Sequence, residues 1–285
     1  MIVRLRTFLI IASLAAVSNA YGQAQADYTD EDLAIWNRCA AILADKKTLP
    51  TGDLIIETAR CFEGKPYVAS TLEKEPERLV VNLRELDCTT FVETVVAMAL
   101  AMKETEPSFE SFCLYLRKLR YRNGTINDYT DRLHYFTDWI FENSRKGFVR
   151  DMTQSLGGEP LSPELSFMSA HPDSYRQLKL HPDMIRTMQE KEKEISSRNG
   201  YAVIPSPRIR DCARGIEHGD IVCFVTNIKG LDVSHVGFVC RQGDTLRLIH
   251  ASSAGKKVMI DERPLQTCAS AVKTTLGVMI VRVVQ

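Results

Sequence analysis

The sequence predicts an α+β fold in which helices come first and an antiparallel β-sheet follows. From residue 27 to residue 198 apolar side chains recur mostly at helical spacing. After residue 218 the pattern changes to short Val- and Ile-rich segments separated by glycine or polar turns. Helices and strands that segregate along the chain argue against the alternation that builds a parallel sheet.

The 285 residues carry 36 basic and 36 acidic side chains, with 45% hydrophobic and 25% charged residues, an ordinary globular composition. This length suits one large domain or two small ones. A zero net charge gives no electrostatic reason to expect nucleic acid or an anionic membrane as partner.

At the N-terminus, Arg4 and Arg6 precede an apolar run from Phe8 to Val17, and Ser18-Asn19-Ala20 offers small residues for cleavage. The run is short for a bilayer span, so residues 1–20 are expected to be a signal peptide and residues 21–285 the mature, exported chain, periplasmic or secreted. No cysteine follows the run to take a lipid, and no later segment resembles a transmembrane helix.

Residues 27–50 read as a helix capped by Thr29 or Asp30, with Leu33, Trp36, Cys39, Ala40 and Leu43 at helical spacing. A second helix starts near Thr51 and ends at Gly64, before Pro66, and residues 67–86 read as loop or short strand. Residues 88–103 are apolar nearly all round, which predicts a buried central helix. Helices are also expected over 108–122, with Arg117, Lys118, Arg120 and Arg122 as a solvated face, over 132–145 around Phe136 and Trp139, and over 173–198, ending in a charged, solvated stretch. Pro205-Ser206-Pro207 breaks the pattern, and the strands are Ile221–Val225, Val233–Cys240, Leu246–His250, Val258–Asp261 and Val278–Val284.

Export permits disulfides, yet the eight cysteines include no CxxC pair, and most read as small buried apolar side chains. Cys88 differs. Asp87 is a good N-cap, which puts Cys88 in the first turn of the central helix, where free N–H groups and the helix dipole favour a thiolate. The alternative is one more buried small residue. Downstream, Val233–Cys240 and Leu246–His250 form a hairpin. A turn at Gln242-Gly243 pairs His235 directly with His250, and a turn at Gly243-Asp244 shifts the pairing by two and leaves them diagonal. Two imidazoles on one face suit a base and its orienter, or they are two unrelated structural histidines.

Pro66-Tyr67, Asp87-Cys88-Thr89-Thr90-Phe91-Val92, Gly219-Asp220-Ile221, Ser234-His235-Val236-Gly237 and Ile249-His250-Ala251, in this order over about residues 60–285, resemble the NlpC-type cysteine peptidases. Those papain-like enzymes cut peptide bonds in bacterial cell walls. The superfamily usually has Ser then Gly after the cysteine, where this chain has Thr89-Thr90. The Thr-Thr form, with Tyr121-Arg122-Asn123-Gly124, Asp131-Arg132-Leu133-His134-Tyr135 and Gly230-Leu231-Asp232-Val233-Ser234-His235, is similar to one branch first catalogued as a domain of unknown function.

The resemblance implies a papain-like fold in one cysteine amidase domain, its nucleophile helix packed on the antiparallel sheet, with a core of about 51–103 and 215–285 and a helical insertion of about 104–214. It implies an N-acetylmuramoyl-L-alanine amidase acting on anhydro-muropeptides, expected to be a monomer with no metal or organic cofactor. Cys88 would be nucleophile, His235 general base and His250 the polar third member. Tyr67 would sit near the oxyanion position. Asp87, Thr89, Arg132, His134, Tyr135 and Ser234 would line the substrate groove, although Asp87 also reads as a cap and Arg132, His134 and Tyr135 as a structural cluster holding the insertion. Three rivals stand beside this reading: a γ-D-glutamyl-diamino acid endopeptidase of the same fold, an inactive wall-binding protein, and a zinc hydrolase using His235, His250 and a cysteine.

Overall fold

A computed structural model describes residues 26–284, so the expected signal peptide lies outside the described residues. The first helix, α1 (Asp30–Leu43), is shorter than the pattern predicts. It begins at a capping box in which Thr29 and Asp32 satisfy each other's backbone N–H groups, and it gives way to a 3₁₀ turn at Ala44–Lys46. Helix α2 (Thr51–Arg60) ends at Cys61 rather than Gly64 and buries Leu54, Ile55, Ile56 and Ala59.

Helix α3 (Cys88–Met102) is the buried centre that its composition predicts, with every residue from Thr90 to Met102 out of solvent. Asp87 caps it as part of a box: its carboxylate accepts from the Thr90 amide at 2.8 Å, and Thr90 Oγ1 accepts from the Asp87 amide at 2.9 Å. Helices α4 (Phe109–Arg120) and α5 (Phe136–Arg145) follow. The basic run on and after α4 is not the solvated face that the sequence suggests. Arg120 is 2% exposed and pairs with Glu93 of α3 at 2.6 Å, while Arg122 reaches Asp138 and Glu142 of α5.

Two short strands absent from the sequence reading, β1 (Val149–Asp151) and β2 (Glu159–Pro160), precede the short helix α6 (Phe167–Ala170). The single helix expected over 173–198 is interrupted. A 3₁₀ turn at Pro172–Ser174, α7 (Arg176–Leu180) and α8 (Pro182–Ser196) are separate pieces, because Pro182 cannot continue α7 and instead starts α8. In the charged stretch of α8, Glu192 is buried and accepts from the Tyr135 hydroxyl at 2.6 Å.

The remaining strands are β3 (Ala202–Pro205), β4 (Ile221–Thr226), β5 (Val233–Gln242), β6 (Thr245–Ser252), β7 (Lys257–Asp261) and β8 (Thr275–Val283), with α9 (Leu265–Ala271) before the last. Among the described residues they form one antiparallel sheet in the order β2-β3-β8-β4-β5-β6-β7, with β1 also on β8. The hairpin turn falls at Gly243-Asp244, since Gln242 pairs with Thr245.

Strand β4 is buried along its whole length because both faces of the sheet are covered. Ile221, Cys223, Val236, Phe238 and Ile249 pack with α3, and Phe91 meets Phe238 edge-on at 5.7 Å. Val222, Phe224, Val239 and Leu248 form a second cluster under α9 and Ile204–Ile216. All eight cysteines are free thiols, four of them buried. No helix among the described residues is long and apolar enough to cross a membrane.

Candidate active site

The capping box that starts α3 also fixes where Cys88 points. Cys88 is half-buried, and the Val236 and Thr89 groups lie close enough to its sulfur to favour the thiolate. Helix tip and strand β5 therefore meet at the sulfur, one peptide unit from His235. The adjacent threonines divide the work here, Thr90 completing the cap and Thr89 turning its hydroxyl to the thiol.

A helix N-terminus alone predicts a lowered thiol pKa. The structure reverses that expectation: burial, then the Asp87 charge, pushes the Cys88 thiol up to about 11, against the weaker help of the Val236 and Thr89 groups. At rest the thiol is neutral.

His235 and His250 sit two residues out of direct register, the diagonal case set by the Gly243-Asp244 turn. Their rings nevertheless meet, His235 Nε2 lying 2.6 Å from His250 Nδ1 with the planes at 85°. Gly237 makes this possible. A Cβ there would fall 2.8 Å from the Ile249 carbonyl oxygen and 2.9 Å from His250 Cβ. Burial pushes both imidazoles down, His235 to about 3 and His250 to about 4, so both are neutral near pH 7.

Tyr67 joins this group. Its amide donates to the Lys256 carbonyl, its strand bridge to Leu86 sets it beside the start of α3, and burial with the Cys88 and Asp87 charges pushes its hydroxyl up to about 12. Ser234 is exposed at the β4–β5 irregularity, where its hydroxyl faces the Phe224 carbonyl at 3.5 Å.

The other predicted groove residues lie in a separate polar seam. Arg132 gives its guanidinium to Glu77 (2.8–3.1 Å), Glu73 (2.8 Å) and the Leu72 carbonyl (3.1 Å). The Tyr135 hydroxyl donates to Glu192 and accepts from the Met168 amide. His134 is half-buried, Nε2 2.9 Å from the Tyr129 carbonyl, and burial followed by the Arg132 charge pushes it down to about 3. These contacts bind the 72–77 loop, the 129–135 segment and α8 to one another. The sequence reading missed Glu73, Glu77 and Glu192, each one of several acids in a charged stretch and each with a partner more than fifty residues away.

Beside β5, a groove of about 790 Å³ is lined by Ser162, Leu165, Lys193, Asn227, Lys229 and Asp232, the last three residues before His235. No group of three His, Cys, Asp or Glu among the described residues is arranged to hold a metal ion.

A family profile described as AmiA-like, N-acetylmuramoyl-L-alanine amidase-like, matches residues 57–276. The chain belongs to this AmiA-like family. Its members are amidase-like hydrolases whose substrates are of peptidoglycan type. A solved N-acetylmuramoyl-L-alanine amidase from Bacteroides uniformis is 36% identical with a TM-score of 0.79, covering 82% of this chain and 99% of that one. A Bacteroides fragilis structure with a provisional xylanase label is 37% identical, with a TM-score of 0.75 over 79% of this chain and 98% of that one. A Legionella pneumophila protein at 22% identity and a TM-score of 0.64 shares the fold, over 89% of this AmiA-like chain and 97% of its own. No curated protein matches the chain.

Proposed function

We propose that this chain is an exported cysteine amidase of papain-like, NlpC-type fold that cleaves the amide between the lactyl group of muramic acid and L-Ala in anhydro-muropeptides. One observation carries the reading: a half-buried sulfur at the tip of α3 lies near the Val236 peptide, next to His235, whose ring is bonded to that of His250 at 2.6 Å. The amidase from Bacteroides uniformis supports the choice of bond.

With thiol and imidazoles neutral at rest, the chemistry is general-base catalysis rather than attack by a preformed thiolate. His235 Nε2 is engaged with His250, which leaves Nδ1 to accept the Cys88 proton. The thiolate adds to the lactyl carbonyl, and the Cys88 amide with the Tyr67 hydroxyl holds the oxyanion. The L-Ala amine leaves with the proton from His235, and water then releases the acyl-enzyme. No residue role here requires a cofactor. Of the further groove residues, Asp87 and Thr89 flank Cys88, Ser234 adjoins His235, and these with His134 would meet substrate. Arg132 and Tyr135 act at one remove, by holding the 72–77 loop and α8.

Mass spectrometry of digested anhydro-muropeptide tests the bond. The expected products are free anhydro sugar and intact peptide. A sugar–L-Ala–D-Glu fragment instead would mean the endopeptidase, and an unchanged substrate would mean a wall-binding protein.

Gly237→Ala probes the ring geometry without touching a reacting atom. The added Cβ must displace the Ile249 carbonyl or His250, so kcat is expected to fall about 100-fold with little change in KM. Steady-state kinetics beside a melting curve checks this, and wild-type turnover in the folded variant would contradict it.

A further inference from the structure

The thiol mechanism leaves one buried group without a function. If His235 is to receive a proton at Nδ1, its neutral ring carries hydrogen at Nε2 and donates it to His250 Nδ1. His250 must then carry its own hydrogen at Nε2. His250 is 8% exposed, and its Nε2 is buried with no hydrogen-bond partner among the described residues. A buried donor in that state needs an acceptor or a compensating charge nearby.

The next strand supplies one. In the β6–β7 ladder His250 faces Met259 and Leu248 faces Asp261, so Asp261 lies diagonally across the same face from His250, roughly 7–8 Å away backbone to backbone. Asp261 is itself 8% exposed. Its carboxylate accepts from Arg263 Nε (3.0 Å), Nη2 (2.6 Å) and the Arg263 amide (2.9 Å), with the Cys268 thiol of α9 alongside. The Arg263 hydrogen bonds, above all, hold it ionised down to about pH 2. Asp261 raises the proton affinity of His250 and Arg263 opposes it. The other titratable groups at this cluster are His235 from β5 and Cys88 from α3.

We propose that Asp261 acts across the β6–β7 ladder, without touching either ring, to balance the charge that His235 and His250 acquire, with Arg263 setting how strongly it does so. The proton passes only between Cys88 and His235, and Asp261 acts on the His235–His250 pair through space. As the Cys88 proton reaches His235, the positive charge is shared with His250 through the 2.6 Å bond, and Asp261 stabilises it inside a poorly solvated site. This inference rests on the thiol mechanism for its role in catalysis. Its electrostatic content stands independently.

The test measures the His235 and His250 titrations by NMR of the full chain, with ¹⁵N-labelled imidazoles, in wild type, Asp261→Asn, Asp261→Glu and Arg263→Gln. Loss of the carboxylate charge is expected to move the His250 midpoint to lower pH, loss of the guanidinium to higher pH, and Asp261→Glu to restore the wild-type value. In kinetics, kcat/KM of Asp261→Asn is expected to fall roughly 10- to 100-fold, the Coulomb factor at this separation, while Arg263→Gln keeps or gains rate. A merely structural role would shift both variants the same way. Unmoved midpoints, or shifts of one sign, would overturn the proposal even if Asp261→Asn proves unstable, since half-exposed Arg263 still reports. A wild type inactive on muropeptide with oppositely shifted midpoints would reject the proposed function and leave the Asp261–His250 coupling standing.

Discussion

Cys88→Ala is expected to lower kcat by roughly 10⁴- to 10⁶-fold, and His235→Ala to do nearly the same. In the proposed mechanism the sulfur forms the acyl bond and the imidazole is its one base, because a thiol pushed up to about 11 supplies almost no thiolate near neutral pH. The two groups act as a unit, so the double variant should be barely worse than either single one. Both side chains sit at a half-exposed rim, so the folded state should survive each change. Hydrolysis assays with far-UV circular dichroism check this. An enzyme that keeps more than about a hundredth of its rate without the sulfur is not working through a thioester.

Arg120→Met is expected to destabilise the protein by about 3–5 kcal/mol, the usual result of stripping one partner from a buried ion pair. Glu93 sits five residues beyond Cys88 on α3 and relies on Arg120, which also donates to the Val80 carbonyl at 2.7 Å. Burial pushes the Glu93 carboxyl above its ordinary value even with Arg120 present. A raised carboxyl favours the folded state while protonated and loses that contribution as pH rises through the folded pKa. The defect in Arg120→Met should therefore be largest near pH 7 and shrink on acidification, as Glu93 takes up a proton. Adding Glu93→Gln should recover much of the loss. Urea unfolding at pH 7 and pH 5 measures both effects, and a pH-independent loss would show that the cost is packing alone.

Much of the frame was legible because its causes are local. Asp87 before an apolar run announces the start of α3, and the Val- and Ile-rich segments around two glycine turns announce β4 to β6. The meeting of His235 with His250 could be read from turn chemistry, though only to within two residues, since either glycine-containing pair could form the turn. What escaped depends on partners distant in sequence. Arg120 looked like one more surface cation until Glu93 and Val80 enclosed it. Arg132 carried no sign that Glu73 and Glu77 would take its guanidinium. The thiol expectation failed for a related reason: a dipole is visible in sequence, whereas the desolvation that outweighs it arises only once the chain has folded around the sulfur.

Asp232 gives helix α5 a structural role beside β5. Its carboxylate accepts from both the Thr137 amide (2.7 Å) and the Thr137 hydroxyl (2.8 Å) at the first turn of α5, and its other oxygen holds the Val233 amide at 2.7 Å. Three positions later comes His235. Helix α5 thus works as a splint for the strand that carries His235, and a chain trimmed to its sheet and α3 would keep Cys88, His235 and His250 yet lose the brace that holds one of them.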